Sequence, residues 1–246
     1  MHVDELSRNQ NIIRGNYDKV IERINISAKN TGRDPESIRL VVVTKTQPVE
    51  AIQYVIDAGA TNLGENYIEE ALPKIQALAN NQTVRWHMIG HVQSRKAQNV
   101  CEYFQYVHSL DSVKLAERLN RFATTLDKSL SVWMEFNVSG EASKSGWDIK
   151  RKENWENILP DIEKIIALPK INILGVMTVP PYSIDPEASR PYYKRLHQFQ
   201  QFIVDRFQLT GFNELSMGMS SDFEVAIQEG STCVRIGQAI LGPRMR

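Results

Sequence analysis

Excess charge of either sign is the first thing this chain lacks. Its 29 basic residues balance 29 acidic ones, which leaves no electrostatic argument for nucleic acid or an anionic membrane surface as a partner. Cysteine is scarce: only Cys101 and Cys233 are present, with no CxxC and no metal-type spacing. A disulfide framework is therefore not expected, and a reducing compartment fits better. Long apolar runs are missing too. No stretch of about 18 apolar residues occurs, and Met1-His2-Val3-Asp4-Glu5 opens acidic and polar with no signal core behind it. The sequence predicts a soluble cytoplasmic protein, with no membrane span. There is no HExxH; His87 and His91 stand four apart with no third ligand in view, so no metal site is expected. Low-complexity segments, linkers and internal repeats are absent, and one domain spanning 1–246 is expected.

What is present begins with Leu40-Val41-Val42-Val43-Thr44-Lys45-Thr46. Four apolar residues, three of them β-branched, favour a strand buried on both faces. The lysine falls at the carboxyl end of that strand, where barrels and open sheets keep their chemistry. Lys45 is either a solvent-facing lysine after a strand or a Schiff-base lysine, activated by partial desolvation to attack an aldehyde.

The remaining chain alternates. A helix from about Asp4 to Ala28 places Ile13, Tyr17, Val20, Ile21 and Ile24 on one face. After the lysine strand, Pro48 opens a helix that stops at Gly59. Further strands are expected at 61–64, 84–89, 105–110, 130–138, 171–177, 212–216 and 232–236, with helices between most of them. Ser112 reads as a helix cap, and Ser221-Asp222-Phe223-Glu224 as a capping box opening a helix that ends at Gly230. Ser139 to Asp148 reads as a polar loop, followed by a helix carrying Trp155, Ile158, Leu159, Ile162 and Ile165. Eight strands alternating with helices, after one extra N-terminal helix, predict an α/β protein built as a single (β/α)8 TIM barrel. An open doubly wound sheet is the alternative.

In a barrel the carboxyl ends of all strands meet on one face. Lys45, Asn66, His87 or His91, Ser109, Asn137, Thr178, Ser216 to Ser221, Arg235 and Gly237 land there. Ser216-Met217-Gly218-Met219-Ser220-Ser221 and Arg235-Ile236-Gly237 each lead into a helix start, the recurrent arrangement of a phosphate pocket after the last two strands. A lysine facing such a pocket suggests a phosphorylated aldehyde held at both ends, with pyridoxal phosphate (PLP) the obvious candidate. Arg235 either faces the pyridine nitrogen, where its permanent charge disfavours protonation of the ring, or contacts the phosphate or an acid. Tyr67 either packs or stacks on a ligand, with packing favoured; Trp133, Trp155, Cys101 and Cys233 read as core.

The segments Val43-Thr44-Lys45-Thr46, Gly64-Glu65-Asn66-Tyr67, Trp86 to Ser94, Asn137-Val138-Ser139-Gly140-Glu141, Gly175-Val176-Met177-Thr178, Leu215 to Ser220 and Val234-Arg235-Ile236-Gly237 together closely resemble the pyridoxal phosphate homeostasis protein family, relatives of the N-terminal barrel of alanine racemase. They span nearly the whole chain in the family's order. The resemblance implies a fold-type III barrel holding PLP as a Schiff base on Lys45. It implies phosphate contacts from Ser216, Ser220 or Ser221, Arg235 and Gly237, and ring contacts from Asn66, Met88 or Arg235. Gln47 departs from the family pattern, where a lysine is expected in many relatives.

The family resemblance implies a cofactor carrier in intracellular vitamin B6 balance, a monomer without an established catalytic reaction, exchanging PLP with PLP-dependent apoenzymes or B6-pathway enzymes. Two other readings stand beside it. A PLP-dependent amino-acid racemase-like enzyme needs a second proton acceptor, which Tyr182 or Tyr193 would have to supply. A phosphosugar barrel enzyme would use Lys45 as an aldolase-type amine without PLP.

Overall fold

The structure, a computed structural model, describes residues 2–243. Helix α1 (His2–Asn30) leads into strand β1 (Arg39–Val43). Strand and helix then alternate: α2 (Val49–Asp57), β2 (Asn62–Glu65), α3 (Ile68–Ala77), β3 (Arg85–Met88), α4 (Ala97–Tyr103), β4 (Tyr106–Leu110), α5 (Val113–Thr125) and β5 (Leu130–Asn137). A two-residue strand β6 (Trp147–Asp148) precedes α6 (Leu159–Ile166), β7 (Ile171–Met177), α7 (Arg190–Phe207), β8 (Glu214–Ser216), α8 (Phe223–Gln228), β9 (Cys233–Ile236) and α9 (Gln238–Leu241). All strand pairs are parallel. The order β4-β3-β2-β1-β9-β8-β7-β5 is closed by pairing of β4 with β5, which makes the expected eight-stranded barrel. No helix of the described residues is long and apolar enough to cross a membrane.

Three local expectations are corrected. The segment read as a polar loop contains β6, which pairs Phe136 with Trp147 and Asn137 with Asp148. The helix expected around Trp155 begins as a 3-10 turn over Lys152–Ile158 and becomes α-helical only at Leu159. No capping box opens α8: Asp222 occupies the cap position without a side-chain cap bond. Its carboxylate instead accepts from Ser189 Oγ, Tyr193 OH and the Met219 amide, each at 2.8 Å. Tertiary donors outcompete the local one.

Alternation along the strands separates two cores. Val42, Leu63, Val107, Val132 and Met134 pack outward in an apolar layer beneath the helices. The residues between them point into the barrel, and there the filling is polar and aromatic rather than the branched aliphatics usual in such barrels. Trp133 stacks on His108 with ring centroids 4.0 Å apart, and His87 stacks on Tyr106 at 4.3 Å. The Arg39 guanidinium covers Tyr106 and Trp133 and pairs with Glu214 at 2.7 Å. Burying such groups is costly unless they are hydrogen-bonded, and a polar network joins most of them, although the Trp133 indole N–H is buried without a partner.

Candidate functional site

The carboxyl ends of the strands form the mouth of the barrel. Lys45 lies there, half-buried in the turn that follows β1. That turn is clamped on both sides of the lysine. Thr46 adopts φ 62°, a left-handed conformation costly for a β-branched residue. Its amide donates to Glu70. Lys74, buried on α3, donates to the Thr44 carbonyl at 2.9 Å, to Glu65 at 2.8 Å and to Glu70 at 2.6 Å. Thr44 Oγ1 donates to the same Glu65 oxygen at 2.6 Å. The second Glu65 oxygen is buried without a hydrogen-bond partner, and burial raises that carboxyl above its ordinary range. A strained turn thus rests on a buried ion network, which pins the backbone on either side of Lys45.

Next around the mouth are Asn66, half-buried just beyond β2, and Met88, buried at the end of β3. They line a small cavity of about 190 Å³ with Tyr67, His91, Gln93 and Lys96. Gly90 permits this: a Cβ there would sit 2.4 Å from the Asn66 carbonyl oxygen. Tyr67 is 60% exposed on this rim, which disfavours the packing alternative and leaves the ring open to a ligand. His91 pairs with Asp111 at 2.9 Å, while His87 points into the barrel interior, so the two histidines read as a pair in the sequence diverge.

The last two strands supply the opposite wall. A Cβ on Gly237 would lie 2.9 Å from the Val43 carbonyl oxygen, so glycine lets the end of β9 come against the end of β1, beside Lys45. The segment after β8 is joined to the segment after β9 by the Ala239 amide donating to Ser220 Oγ at 3.3 Å, and to β9 itself by the Arg235 amide donating to the Gly218 carbonyl at 3.0 Å. Ser220 is half-buried and Ser221 exposed. Ser216 is fully buried. Its hydroxyl lies 2.7 Å from His108 Nδ1 and accepts from the Arg235 guanidinium. Arg235 also donates to the Ser216 carbonyl at 2.7 Å and the Thr178 carbonyl at 2.9 Å. The guanidinium therefore sits in the barrel wall below the mouth, and burial lowers its pKa.

Other polar residues expected at the mouth turn out to brace loops. Asn137 Oδ1 accepts from the Ser139 and Gly140 amides, Ser109 Oγ donates to the Gly90 carbonyl, and Thr178 Oγ1 to the Phe136 carbonyl. Two functional-looking residues were missed by sequence reasoning. One is Lys74; its only signal is a lysine within a helix whose neighbours Ala71, Leu72 and Ile75 are apolar. The other is Glu135, which shares the inward parity of Trp133 on β5. Burial and the nearby Asp111 charge push its carboxyl up to about 7, against the opposing pull of Arg235 and His91. Its signal is a lone carboxylate inside an otherwise apolar strand.

The family model of the alanine racemase N-terminal domain matches residues 16–245. The pyridoxal phosphate homeostasis protein of Vibrio alginolyticus is 39% identical over 235 residues, covering 94% of this chain and 97% of the relative. Among solved structures, PipY of Synechococcus elongatus with PLP bound superposes with a TM-score of 0.78 at 30% identity, over 91% of this chain and 100% of that one. An alanine racemase of Clostridium difficile shares the barrel fold at a TM-score of 0.68 and 16% identity, over 94% of this chain and 56% of its own.

Proposed function

The chain belongs to the pyridoxal phosphate homeostasis proteins, within the alanine racemase N-terminal domain family, and on that premise we propose that it binds PLP at the barrel mouth, as a Schiff base on Lys45, and serves intracellular vitamin B6 balance as a carrier. The observation that carries this reading is the approach of Gly237 to Val43, which sets the Lys45 turn beside the loops after β8 and β9. The donor set fits the group. Lys45 would offer an amine to the aldehyde, Ser220, Ser221 and Gly237 hydroxyls and backbone to the phosphate, and Asn66 would meet the ring from the rim, with Met88 in the apolar layer behind it. Arg235 lies beneath, steadied by Ser216. When bound, PLP supplies an electrophilic carbonyl and an electron-withdrawing ring. The residues around it would orient that ring, and the charged group in the wall below the mouth is a permanent cation, Arg235, rather than a carboxylate.

Binding is favoured over catalysis by the tyrosines. Tyr193 is fully buried and its hydroxyl is committed to Asp222, and Tyr182 is 83% exposed. Neither stands as a positioned base. Release of PLP to apoenzymes from a monomeric carrier completes the reading.

The test is the visible absorption spectrum of the protein with PLP, before and after borohydride, beside Lys45→Ala. A band that reduction removes, with label mapped to Lys45 and lost in the variant, is expected. A chain that binds no PLP sinks the proposal. Incubation with L-amino acids in deuterated water separates carrier from enzyme: α-proton exchange at turnover rates would count against the carrier.

A further inference from the structure

A continuous hydrogen-bond chain runs through the barrel from its floor towards the mouth. At the floor, Asn62 lines a cavity of about 640 Å³ with Tyr17, Arg39 and Glu214. Asn62 Oδ1 lies 3.0 Å from His87 Nε2. His87 Nδ1 lies 2.9 Å from His108 Nε2. His108 Nδ1 lies 2.7 Å from Ser216 Oγ, and Ser216 Oγ meets the Arg235 guanidinium.

The chain has one direction, and Asn62 sets it. The Asn62 amide nitrogen donates to Thr61 Oγ1 at 3.1 Å, which leaves the amide oxygen for His87. That oxygen only accepts, so His87 carries its proton on Nε2. Burial holds both rings neutral, well below the ordinary imidazole range. A neutral His87 then accepts on Nδ1 from His108 Nε2–H, and His108 accepts on Nδ1 from the Ser216 hydroxyl. The hydroxyl's lone pairs are then left for Arg235, which can only donate. With the opposite tautomers His108 Nδ1–H would itself occupy one of those lone pairs, and the Ser216 proton would lose His108 as its acceptor.

We propose that Asn62, His87 and His108 are positioning residues for the cofactor site, holding Ser216 Oγ as an acceptor and thereby fixing the Arg235 guanidinium below the barrel mouth. The inference rests on the PLP-binding reading above. It extends the site from the mouth to the floor of the barrel and gives a role to three side chains that never touch the ligand.

Two experiments test it. Long-range nitrogen–proton correlation spectra of the protein without cofactor should show the Nε2–H tautomer for both His87 and His108; an Nδ1–H tautomer on either ring overturns the proposal. The second compares Asn62→Ala, His108→Phe and Asn62→Asp by PLP affinity and by pH titration of the long-wavelength band. Asn62→Ala and His108→Phe should each weaken affinity about tenfold and move the band's titration. Asn62→Asp, which keeps an acceptor towards His87 Nε2, should stay within about twofold of the parent. If His108→Phe fails to fold, Asn62→Ala at the accessible floor decides. Unchanged affinity and titration in Asn62→Ala, with the parent band still lost in Lys45→Ala, overturns the chain while leaving PLP binding intact. A parent protein that binds no PLP fails the underlying reading instead.

Discussion

Lys74 Nζ lies 2.9 Å from the carbonyl oxygen of Thr44, the residue immediately before Lys45. The bond ties α3 to the reactive turn, and the Glu70 carboxylate that Lys74 also holds takes the amide of Thr46 on the far side. Lys45 is thus carried by a backbone pinned at both neighbours, which keeps a strained φ at Thr46 from relaxing.

Replacing Lys74 with Met should cost about 3 kcal/mol, because the buried Glu65 carboxylate loses its cation. Attachment of PLP to Lys45 should also slow, since the turn is free to relax. Urea unfolding measures the first effect and stopped-flow absorbance the second. A destabilised variant with the parent's attachment rate would show that the network serves the fold alone.

Gly237→Ala would place a methyl group 2.9 Å from the Val43 carbonyl oxygen and 3.1 Å from Val43 Cβ. Backbone must move, at a cost of about 1–3 kcal/mol. The movement separates the Lys45 turn from the loops after β8 and β9, so PLP affinity should fall along with stability. Fluorescence titration with PLP alongside thermal melts reads both; full affinity in the variant would remove the close approach from the site.

Glu135 predicts a pH dependence. Its carboxyl titrates at about 7 in the fold against an ordinary value of 4.5. The native state therefore binds the extra proton between those values, and stability falls as pH rises. The contribution is complete below pH 4.5 and gone above about 7, with an upper bound of roughly 3 kcal/mol before solvent screening. Glu135→Gln should flatten that part of the stability–pH curve. An unchanged slope in the variant would mean that another group carries it.

Cys101 and Cys233 are free and buried, and burial pushes both thiols up to about 11. At pH 8 the native protein should therefore react negligibly with a disulfide reagent, and both thiols should react on unfolding in guanidinium. Rapid labelling of either cysteine without denaturant would mean that the barrel or α4 opens locally.

Legibility in the sequence followed the range of the interactions involved. The run Leu40 to Val43 announces a buried strand by composition alone, and the lysine behind it needs nothing but strand polarity to be placed at the mouth. Asn66, Met88, Ser220 and Gly237 were reachable in the same way, as residues at or beyond strand ends. The capping box at Ser221 was not, because the Asp222 carboxylate finds Ser189 and Tyr193 from other elements. For Tyr67 the choice between packing and stacking on a ligand stayed open, because nothing local says that the chain beyond β2 turns outward to the rim.

What the sequence by itself determined is the alternation of strands and helices, the eight-stranded closure that this alternation favours, and the position of Lys45. These depend on periodicity and composition within a few residues. Only the tertiary structure decided that His87 and His108 face inward, that Ser216 is an interior hydroxyl, and that Lys74 reaches back to Thr44. The reason is barrel closure. His108 and Ser216 are 108 positions apart in the chain, and they meet only because β4 and β8 belong to one closed ring. Inside that ring an unpaired polar atom is costly, so partners distant in sequence bond to one another.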